Sequence, residues 1–369
     1  MLEVGNRKQI IINFKSLEHN LISIKNHIQG RELVATLKAD AYGHGLAKTF
    51  SFLKEKGVNY FGLFWIDEAI RIKKIDKNAK TLLYINTDRS GIKNLVRFSI
   101  TPFIADSHYL YLIERECLRQ NKKIKAHLKI DVGMNRYGIK IENALNLANQ
   151  IQNSKLIELE GVCTHLPTTE DTKITNAQTE KFMCFIEELK ENNINPKFIH
   201  VSNSEHTENY NINEKFNMVR PGLILYGYHS NLNRSKNNLC LKPVLSLYSK
   251  IIFLKSISQG EAVSYSGLFI AKEDIQIGLV PVGYFDGIPQ NTSNNFYYLV
   301  RGRKCPIRGK LCMNITIIEI PKDLKISIGE RVEIISENLT LDELSKESGV
   351  SKYEMLCSIG KHTNKKYLY

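Results

Sequence analysis

Short apolar runs alternate with longer amphipathic stretches between about residues 31 and 230 of the chain. The runs have the length and the Val, Ile, Leu and Phe content of buried parallel strands, whereas the stretches between them have helical length. Eight strands separated by helices predict an α/β fold, a closed (β/α)8 TIM-like barrel rather than an open sheet. The predicted strands are residues 33–39, 60–64, 81–85, 101–105, 124–130, 158–164, 198–202 and 218–219.

Three of the connecting stretches, residues 106–120, 141–152 and 175–192, predict helices that cover the barrel. The third carries apolar residues at helical spacing, so we expect one of its faces to pack on the core. Those residues are Phe182, Phe185, Ile186 and Leu189.

After about residue 235 the pattern becomes β-rich, with glycine and proline between the apolar segments. This indicates a separate C-terminal all-β domain with one short helix at residues 341–347, begun by Thr340 as its N-cap. A chain of 369 residues is too long for one typical core, which also favours two domains. Residues 10–14 are strand-like as well. The predicted C-terminal strands are residues 244–257, 277–282, 296–301, 311–320 and 331–335.

Charge and cysteine content narrow the function classes. The net charge is +13, but the 51 basic residues are scattered, and the densest runs, 122–125 and 361–366, are short, so we expect no nucleic-acid partner. Seven cysteines without a C-x-x-C pair or a metal-ligand spacing predict a reduced, cytoplasmic chain and no metal site. Residues 1–15 have neither a signal peptide nor a membrane span.

Lys38 is the first candidate for chemistry, because it stands at the end of the first apolar run and before a loop that contains Gly43 and Gly45. Catalytic groups of barrel enzymes collect at the carboxyl ends of the strands. The pattern alone leaves two roles open for this lysine, an amine that forms a Schiff base and, more commonly, an ion-pair partner.

The string LVATLKADAYGHG at residues 33–45 resembles the pyridoxal-phosphate lysine motif of bacterial alanine racemases, enzymes of fold type III. The resemblance runs over essentially the full chain and favours the Schiff-base role for Lys38. It continues in the same order through KIDVGMNRYG (129–138), THL (164–166), HVSNS (200–204), VRPGLILYG (219–227), VSYSG (263–267), PVGYFDG (281–287) and CM (312–313).

The resemblance implies a two-base mechanism. Racemisation removes the α-proton from one face of the amino acid and returns a proton on the other, so two bases must flank the reacting carbon. Lys38 and Tyr265 match these bases. A free phenol titrates near pH 10, and the resemblance supplies a supporting chain from Tyr265 to His165 and Arg220 that lowers the cost of its ionisation.

Arg220 also matches the residue that donates to the pyridine nitrogen of the cofactor. An arginine does not readily give up its proton, so the ring nitrogen stays unprotonated and withdraws electrons more weakly. This shortens the lifetime of the carbanion and favours racemisation over transamination. Aminotransferase-like sites place a carboxylate there instead.

The remaining implied roles concern the cofactor phosphate and the substrate. A phosphate is bound by hydroxyl groups and backbone amides, and the matching cofactor-binding positions are Tyr42, Asn203, Ser204, Gly222, Leu223 and Tyr353. Arg136 matches the residue that binds the substrate carboxylate or supports Tyr265, and Met313 matches a substrate contact. Lys129 occupies the position of a lysine that is often carbamylated in the family, although it could equally remain unmodified.

The sequence departs from the family pattern at three positions. Gln290 and Lys310 stand where arginines are typical, and Asn314 replaces the aspartate after Cys-Met. These positions border the path by which substrate reaches the site in the family. The chain's end, at residues 360–367, also lacks the usual Arg-Val-Pro-Arg run. The departures put the substrate range in doubt, and not the cofactor chemistry.

The resemblance predicts an alanine racemase that supplies D-alanine for peptidoglycan and works as a head-to-tail homodimer. Tyr265 and Met313 of one chain would complete the site around Lys38 of the other. It places an N-terminal strand (residues 1–14) beside the C-terminal β domain (236–369) and assigns residues 15–235 to the pyridoxal-phosphate barrel. The alternatives are a serine or lysine racemase and a non-catalytic cofactor-binding barrel protein. Arg220 argues against a fold-related basic amino-acid decarboxylase, which would place an acid at the ring nitrogen.

Overall fold

Strands and helices alternate through the first two thirds of the chain. The computed structural model describes residues 7–167, 172–209, 213–230, 239–361 and 365–369. The predicted domain boundary at residues 235/236 lies outside these ranges. So do residues 362–364 of the segment 360–367, where the family's Arg-Val-Pro-Arg run is missing. The elements in chain order are β1 (Lys8–Asn13), α1 (Phe14–His27), β2 (Glu32–Thr36), α2 (Lys38–Tyr42), α3 (Leu46–Glu55), β3 (Tyr60–Leu63), α4 (Ile66–Ile75), β4 (Lys80–Leu83), α5 (Arg89–Arg97), β5 (Thr101–Ile104), α6 (Ser107–Gln120), β6 (Ile124–Asp131), β7 (Ile139–Lys140), α7 (Ile141–Gln152), β8 (Ile157–Cys163), α8 (Thr172–Glu191), β9 (Phe198–His200), α9 (Ser204–Asn209) and β10 (Met218–Val219).

Eight parallel strands form a nearly closed barrel in the order β10–β2–β3–β4–β5–β6–β8–β9, and the short β7 pairs with β6. Between the two end strands, the amide of Asn217 donates to the carbonyl of Ile199 (3.1 Å) and the amide of Arg220 donates to that of Ser202 (2.9 Å). The predicted (β/α)8 barrel is therefore confirmed. Each of these eight barrel strands overlaps a predicted one, whereas the short β7 does not.

The predicted core face of the helix before β9 is also confirmed. Its four apolar residues are all at most 2% exposed. They join a single large apolar cluster that runs through the barrel and into the second domain.

The second domain is built mainly from antiparallel strands. A six-stranded sheet has the order β17–β16–β19–β11–β1–β20, and smaller sheets are formed by β12–β15–β18 and by β13–β14. β1 pairs antiparallel with β11 and parallel with β20, so the N-terminal strand belongs to this sheet. The elements are β11 (Leu245–Lys250), β12 (Phe253–Ile257), β13 (Ala262–Val263), β14 (Phe269–Ile270), β15 (Ile275–Val280), β16 (Tyr297–Val300), β17 (Arg303–Pro306), β18 (Thr316–Ile320), β19 (Arg331–Ile335), α10 (Leu341–Ser348), α11 (Lys352–Gly360) and β20 (Lys365–Leu368).

Two predicted strands of this domain are wrong in extent. The strand predicted at residues 244–257 is two strands, because the chain changes sheets between them: Ile251 donates its amide to Glu330, and Ile252 donates to Leu279. The strand predicted at 311–320 covers only Thr316–Ile320. The preceding residues form a loop whose carbonyls at Cys312 and Met313 accept from the loop at residues 283–287.

The helix predicted at 341–347 is observed as Leu341–Ser348, and the Thr340 hydroxyl accepts from the Glu343 amide as a capping residue. A second helix, Lys352–Gly360, had not been predicted. Among the described residues, no helix is both long and apolar enough to cross a membrane.

A buried carboxylate ties the N-terminal strand to the loop at residues 283–287. Asp286 is 1% exposed and pairs with both Lys8 and Arg7, with 2.7 Å between the Arg7 Nη2 and Asp286 Oδ1 atoms. Burial alone would raise the pKa of Asp286, but hydrogen bonds from Lys8, the Gly283 amide and Arg7 outweigh it and lower this pKa. The backbone beside Tyr284 and Phe285 is thereby fixed.

Candidate active site

A cavity of about 340 Å³ lies at the carboxyl ends of the barrel strands. This size falls within the range of small-molecule sites, about 300–1,000 Å³. It brings together ten of the residues that the sequence singled out. They are Lys38, Tyr42, Lys129, Arg136, His165, Asn203, Ser204, Arg220, Gly222 and Tyr353.

Three predicted site residues do not line this cavity. Leu223 is fully buried in a short 3-10 helix behind Gly222. Tyr265 and Met313 lie on the second domain, where they are 67% and 52% exposed. A single chain thus provides only one of the two predicted bases at the cavity.

Several residues that line the cavity are not among the site residues predicted from the sequence. They include the aromatic side chains Phe64, Tyr84, Phe103 and Tyr137, as well as Thr36 and Met134. Most of them stand at or just after the end of a barrel strand. The last residues of each predicted strand were therefore the signal that could have identified them.

The lysine is followed by an unusual backbone turn. Ala39, Asp40, Ala41 and Tyr42 all have φ between 53° and 57°, in the left-handed region, and Gly43 has φ 79°. A left-handed residue other than glycine costs roughly 1–2 kcal/mol, so a run of four persists only if surrounding contacts hold it. Within the barrel, the Asp40 carboxylate accepts from the Leu46 amide (2.9 Å).

The second domain supplies further contacts to this turn. Lys365 Nζ lies 3.2 Å from the Asp40 carboxylate, and the Tyr367 hydroxyl donates to the His44 carbonyl at 3.2 Å. A Cβ on Gly43 would lie 2.2 Å from the Leu356 carbonyl oxygen. The close approach of helix α11 thus requires glycine at position 43.

Burial and a neighbouring cation lower the pKa of the Lys38 amine. Its Nζ lies 5.9 Å from the ring centroids of both Tyr42 and Phe64. Burial lowers the pKa of Lys38, and the positive charge of Arg136 lowers it further. A lysine amine is nucleophilic only when it is deprotonated, so both effects increase its reactivity.

Four basic side chains line the cavity: Lys38, Lys129, Arg136 and Arg220. No acidic residue is found among the lining residues in the part of the chain that the structure describes. Such a cavity attracts an anionic ligand. The described residues also contain no group of three His, Cys, Asp or Glu that could hold a metal ion.

His165 and Lys129 are both affected by these cations. Burial and then the charge of Arg220 hold the pKa of His165 well below its ordinary value, so the imidazole is neutral. Burial lowers the pKa of Lys129 to about 8. Its ammonium donates to the Ile130 carbonyl at 2.8 Å.

Arg220 is held mainly by acceptors other than the predicted His165. Its Nη1 donates to His200 Nδ1 at 2.5 Å, and its Nη2 donates to the carbonyls of Thr164 (2.8 Å) and Val201 (3.1 Å). His165 makes no hydrogen bond to Arg220 within the described part of the chain. The two are coupled through charge instead.

Hydroxyl groups and a backbone amide meet on the cavity wall. The Gly222 amide donates to Ser204 Oγ at 2.8 Å, and the Tyr42 ring packs between those of Tyr226 and Tyr353, with centroids 5.0 and 6.0 Å away. A Cβ on Gly222 would lie 2.4 Å from the Tyr42 hydroxyl oxygen. Only glycine allows Tyr42 to stand there.

Two of the positions that depart from the family pattern, Lys310 and Gln290, lie at the loop that contacts Ser264, the residue before Tyr265. Ser264 Oγ donates to the Lys310 carbonyl at 2.7 Å, and Gln290 Nε2 donates to the Leu311 carbonyl at 3.3 Å. Asn314 is exposed. None of the three residues is among those that line the Lys38 cavity.

Comparison with known proteins agrees with this geometry. The family models for the alanine racemase N-terminal and C-terminal domains match residues 12–230 and 244–367. The alanine racemase of Borreliella burgdorferi (strain ZS7) is 60% identical over 365 residues, which cover 99% of this chain and 98% of that protein. The structure of alanine racemase from Clostridium difficile 630 has a TM-score of 0.93 at 27% identity, covering 99% of this chain and 97% of that one. The same fold is found in the Bartonella henselae alanine racemase with covalently bound pyridoxal phosphate, at a TM-score of 0.88 and 24% identity, with 99% and 100% coverage.

The close approach at Gly43 can be tested with a matched pair of variants. Gly30 has nearly the same φ (81°, against 79°), but a Cβ there meets nothing within 4 Å. Gly30→Ala should therefore cost only about 1 kcal/mol of left-handed strain. Gly43→Ala should cost about 1–3 kcal/mol more, because helix α11 must move. Denaturant unfolding monitored by circular dichroism compares the two, and equal losses would contradict the proposed constraint.

Proposed function

The chain belongs to the alanine racemase family, and we propose that Lys38 and Tyr265 are the two bases with which it interconverts L- and D-alanine. The observation that carries this proposal is the shared cavity of Lys38, Arg136, His165 and Arg220. Alanine racemases are isomerases, and this chain uses pyridoxal phosphate as its cofactor.

The residues present fit that cofactor. Its aldehyde reacts with a neutral amine, and burial of Lys38 together with the charge of Arg136 lowers the pKa of this amine and so favours that form. Its phosphate requires hydroxyls and amides, which Tyr42, Ser204, Tyr353 and the Gly222 amide would supply, together with Asn203 and the Leu223 amide. When bound, pyridoxal phosphate supplies an electron-withdrawing ring that stabilises negative charge on the α-carbon of alanine.

We assign the proton transfers to two side chains. Lys38 Nζ removes or returns the α-proton on one face of the substrate, and the Tyr265 hydroxyl oxygen does so on the other. The neutral His165 imidazole can accept a hydrogen bond from Tyr265, and the nearby Arg220 charge favours the ionised phenol. Arg136 binds the substrate carboxylate, and Met313 contacts the substrate.

Arg220 determines the type of reaction in this proposal. Its guanidinium keeps its protons and leaves the ring nitrogen of the cofactor unprotonated. The negative charge on the α-carbon is then short-lived, so reprotonation at the same carbon competes well with transamination. The described residues lining the cavity include no carboxylate that could take this role.

We propose that Tyr265 and Met313 act in the site of a second copy of the chain. Both are exposed, and Met313 lies beside Tyr284 and Phe285, which are 41% and 48% exposed, so this part of the second domain presents an apolar, aromatic face. Faces of this kind are typical of protein interfaces. A homodimer would complete the cavity with its second base.

We also propose that the enzyme works in the cytoplasm and supplies D-alanine for peptidoglycan. All seven cysteines are free thiols, which persist in a reducing compartment. We further propose that residues 15–235 form the cofactor barrel, and that residues 1–14 and 236–369 form the domain that carries Tyr265.

Mixing two inactive variants tests the shared site. Lys38→Ala and Tyr265→Ala proteins are dissociated, mixed in equal amounts and reassociated. Half of the dimers are then mixed, and each has one intact site, so about one quarter of the wild-type activity should return. Each variant treated alone is the control. A site contained within one chain predicts no recovery.

The three departures from the family pattern predict a broadened substrate range. Gln290 and Asn314 remove ionic groups from the path to the site, whereas Lys310 keeps a positive charge but lacks the planar, bidentate guanidinium of an arginine. A less ion-paired path should admit side chains longer or more polar than that of alanine. We expect measurable racemisation of L-serine or L-lysine beside L-alanine, with both enantiomers followed by chiral chromatography. Asn314→Asp should narrow this range. Strict alanine preference in the wild type would contradict the prediction.

We propose that Lys129 carries a carbamate, formed when its neutral amine adds to carbon dioxide and releases a proton. The added carboxylate would pair with Arg136. Lys73 is a matched control, because it is also buried with a pKa lowered to about 8 but lies outside the cavity. In 13C-bicarbonate, a carbamate NMR signal should appear in the wild type and in Lys73→Arg and be lost in Lys129→Arg. A signal that survives in Lys129→Arg would contradict the assignment.

A further inference from the structure

A buried chain of hydrogen bonds leads from Arg220 into the interior of the barrel. Arg220 Nη1 lies 2.5 Å from His200 Nδ1, and His200 Nε2 lies 2.8 Å from His127 Nδ1. His127 Nε2 then lies 3.4 Å from Glu160 Oε2. Both imidazoles are fully buried, and Glu160 is 3% exposed.

The donors in this chain can point in only one direction. An arginine can only donate, so His200 accepts at Nδ1 and, as a neutral ring, carries its proton on Nε2. That proton is donated to His127 Nδ1, which leaves the His127 proton on Nε2, facing the Glu160 carboxylate. Burial lowers the pKa of both histidines, which keeps both rings neutral.

The chain ends at a permanent negative charge. Burial alone would raise the pKa of Glu160, but hydrogen bonds from His127 and Lys125 outweigh it and lower this pKa to about 2. Lys125 Nζ lies 2.7 Å from Glu160 Oε1. Arg220 itself forms no salt bridge within the described ranges, so the acid that its hydrogen bonds reach is Glu160, two imidazoles away.

The backbone opposite His127 leaves room for its imidazole ring. Gly161 lies opposite His127 in the β6–β8 pairing, where the register also shifts. A Cβ on Gly161 would lie 2.7 Å from the His127 ring. The imidazole occupies the space that a side chain would otherwise fill.

We propose that His127 and Glu160 are positioning residues for the reaction: through His200 they fix the Arg220 guanidinium and offset part of its positive charge at the cofactor ring. This inference rests on the role of Arg220 given under Proposed function. Glu160 touches neither substrate nor cofactor and acts only through the chain.

Removing the charge of Glu160 should therefore change the reaction outcome. Glu160→Gln keeps an acceptor for His127 but leaves the Arg220 charge uncompensated. The negative charge on the α-carbon would then be stabilised for longer, and more of it would be lost to transamination. We expect kcat for racemisation to fall about 2- to 30-fold, the range for coupling through such networks, and transamination events per racemisation to rise.

Glu158→Gln is the matched control. Glu158 lies two residues away on β8 and also approaches Lys125 (3.5 Å), but its side chain is 64% exposed and it makes no hydrogen bond to His127. The Glu158→Gln variant removes the same negative charge from a residue that is not part of the hydrogen-bond chain. The readouts are chiral chromatography for racemisation and cofactor absorbance for conversion to the pyridoxamine form. Equal effects of the two variants, or wild-type behaviour of Glu160→Gln, would overturn the proposal.

A second measurement requires neither a variant nor activity. Imidazole 15N NMR of the cofactor-free wild-type protein should show His127 and His200 as neutral rings protonated on Nε2. Protonation of either ring on Nδ1 would overturn the proposed chain even if racemisation is normal. Conversely, the expected tautomers in a protein that does not racemise alanine would overturn only the proposed function.

Discussion

The left-handed turn at residues 39–43 is the constraint on which the catalytic site depends. Four residues other than glycine have positive φ directly after Lys38. The conformational strain of these residues requires stabilising contacts from outside the turn. Contacts from the C-terminal elements, through Leu356, Lys365 and Tyr367, hold it in place. The lysine amine at the barrel mouth is therefore positioned by both domains, and within the described chain Tyr353 is the one residue of the second domain that lines its cavity.

The second constraint is that the positive charge in the cavity must be compensated. The lining residues include four basic side chains, of which Lys129 and Arg220 are buried, and, within the described chain, no acid. Buried cations are costly unless a ligand or a distant anion compensates them. A phosphate and a substrate carboxylate would meet part of this requirement. Glu160 would compensate part of the positive charge of Arg220 from the far end of the histidine chain. At that distance it cannot compete with the ligand for hydrogen bonds from Arg220.

Much of this could be predicted from sequence because the signals are local. Buried parallel strands are continuous apolar runs, and all eight barrel strands were located in this way. The chain's change of sheet near Ile251 and the link from Arg220 to His200 and Glu160 could not be predicted, because they depend on contacts between distant strands. The pattern singles out Lys38, but its Schiff-base role is predicted by resemblance alone. Nothing in its local sequence encodes the contact between Gly43 and Leu356 that shapes the turn after it.

The two constraints divide the work between the domains. The barrel carries Lys38 and the other basic side chains of the cavity, whereas the second domain carries Tyr265 at an exposed position. The cofactor and reaction type would therefore be set by buried residues such as Arg220, which packing and hydrogen bonds hold in one place. Substrate range would be set by exposed positions of the second domain, where a substitution changes little else. This separation explains how Asn314 and Gln290 can depart from the family pattern while the barrel chemistry stays intact.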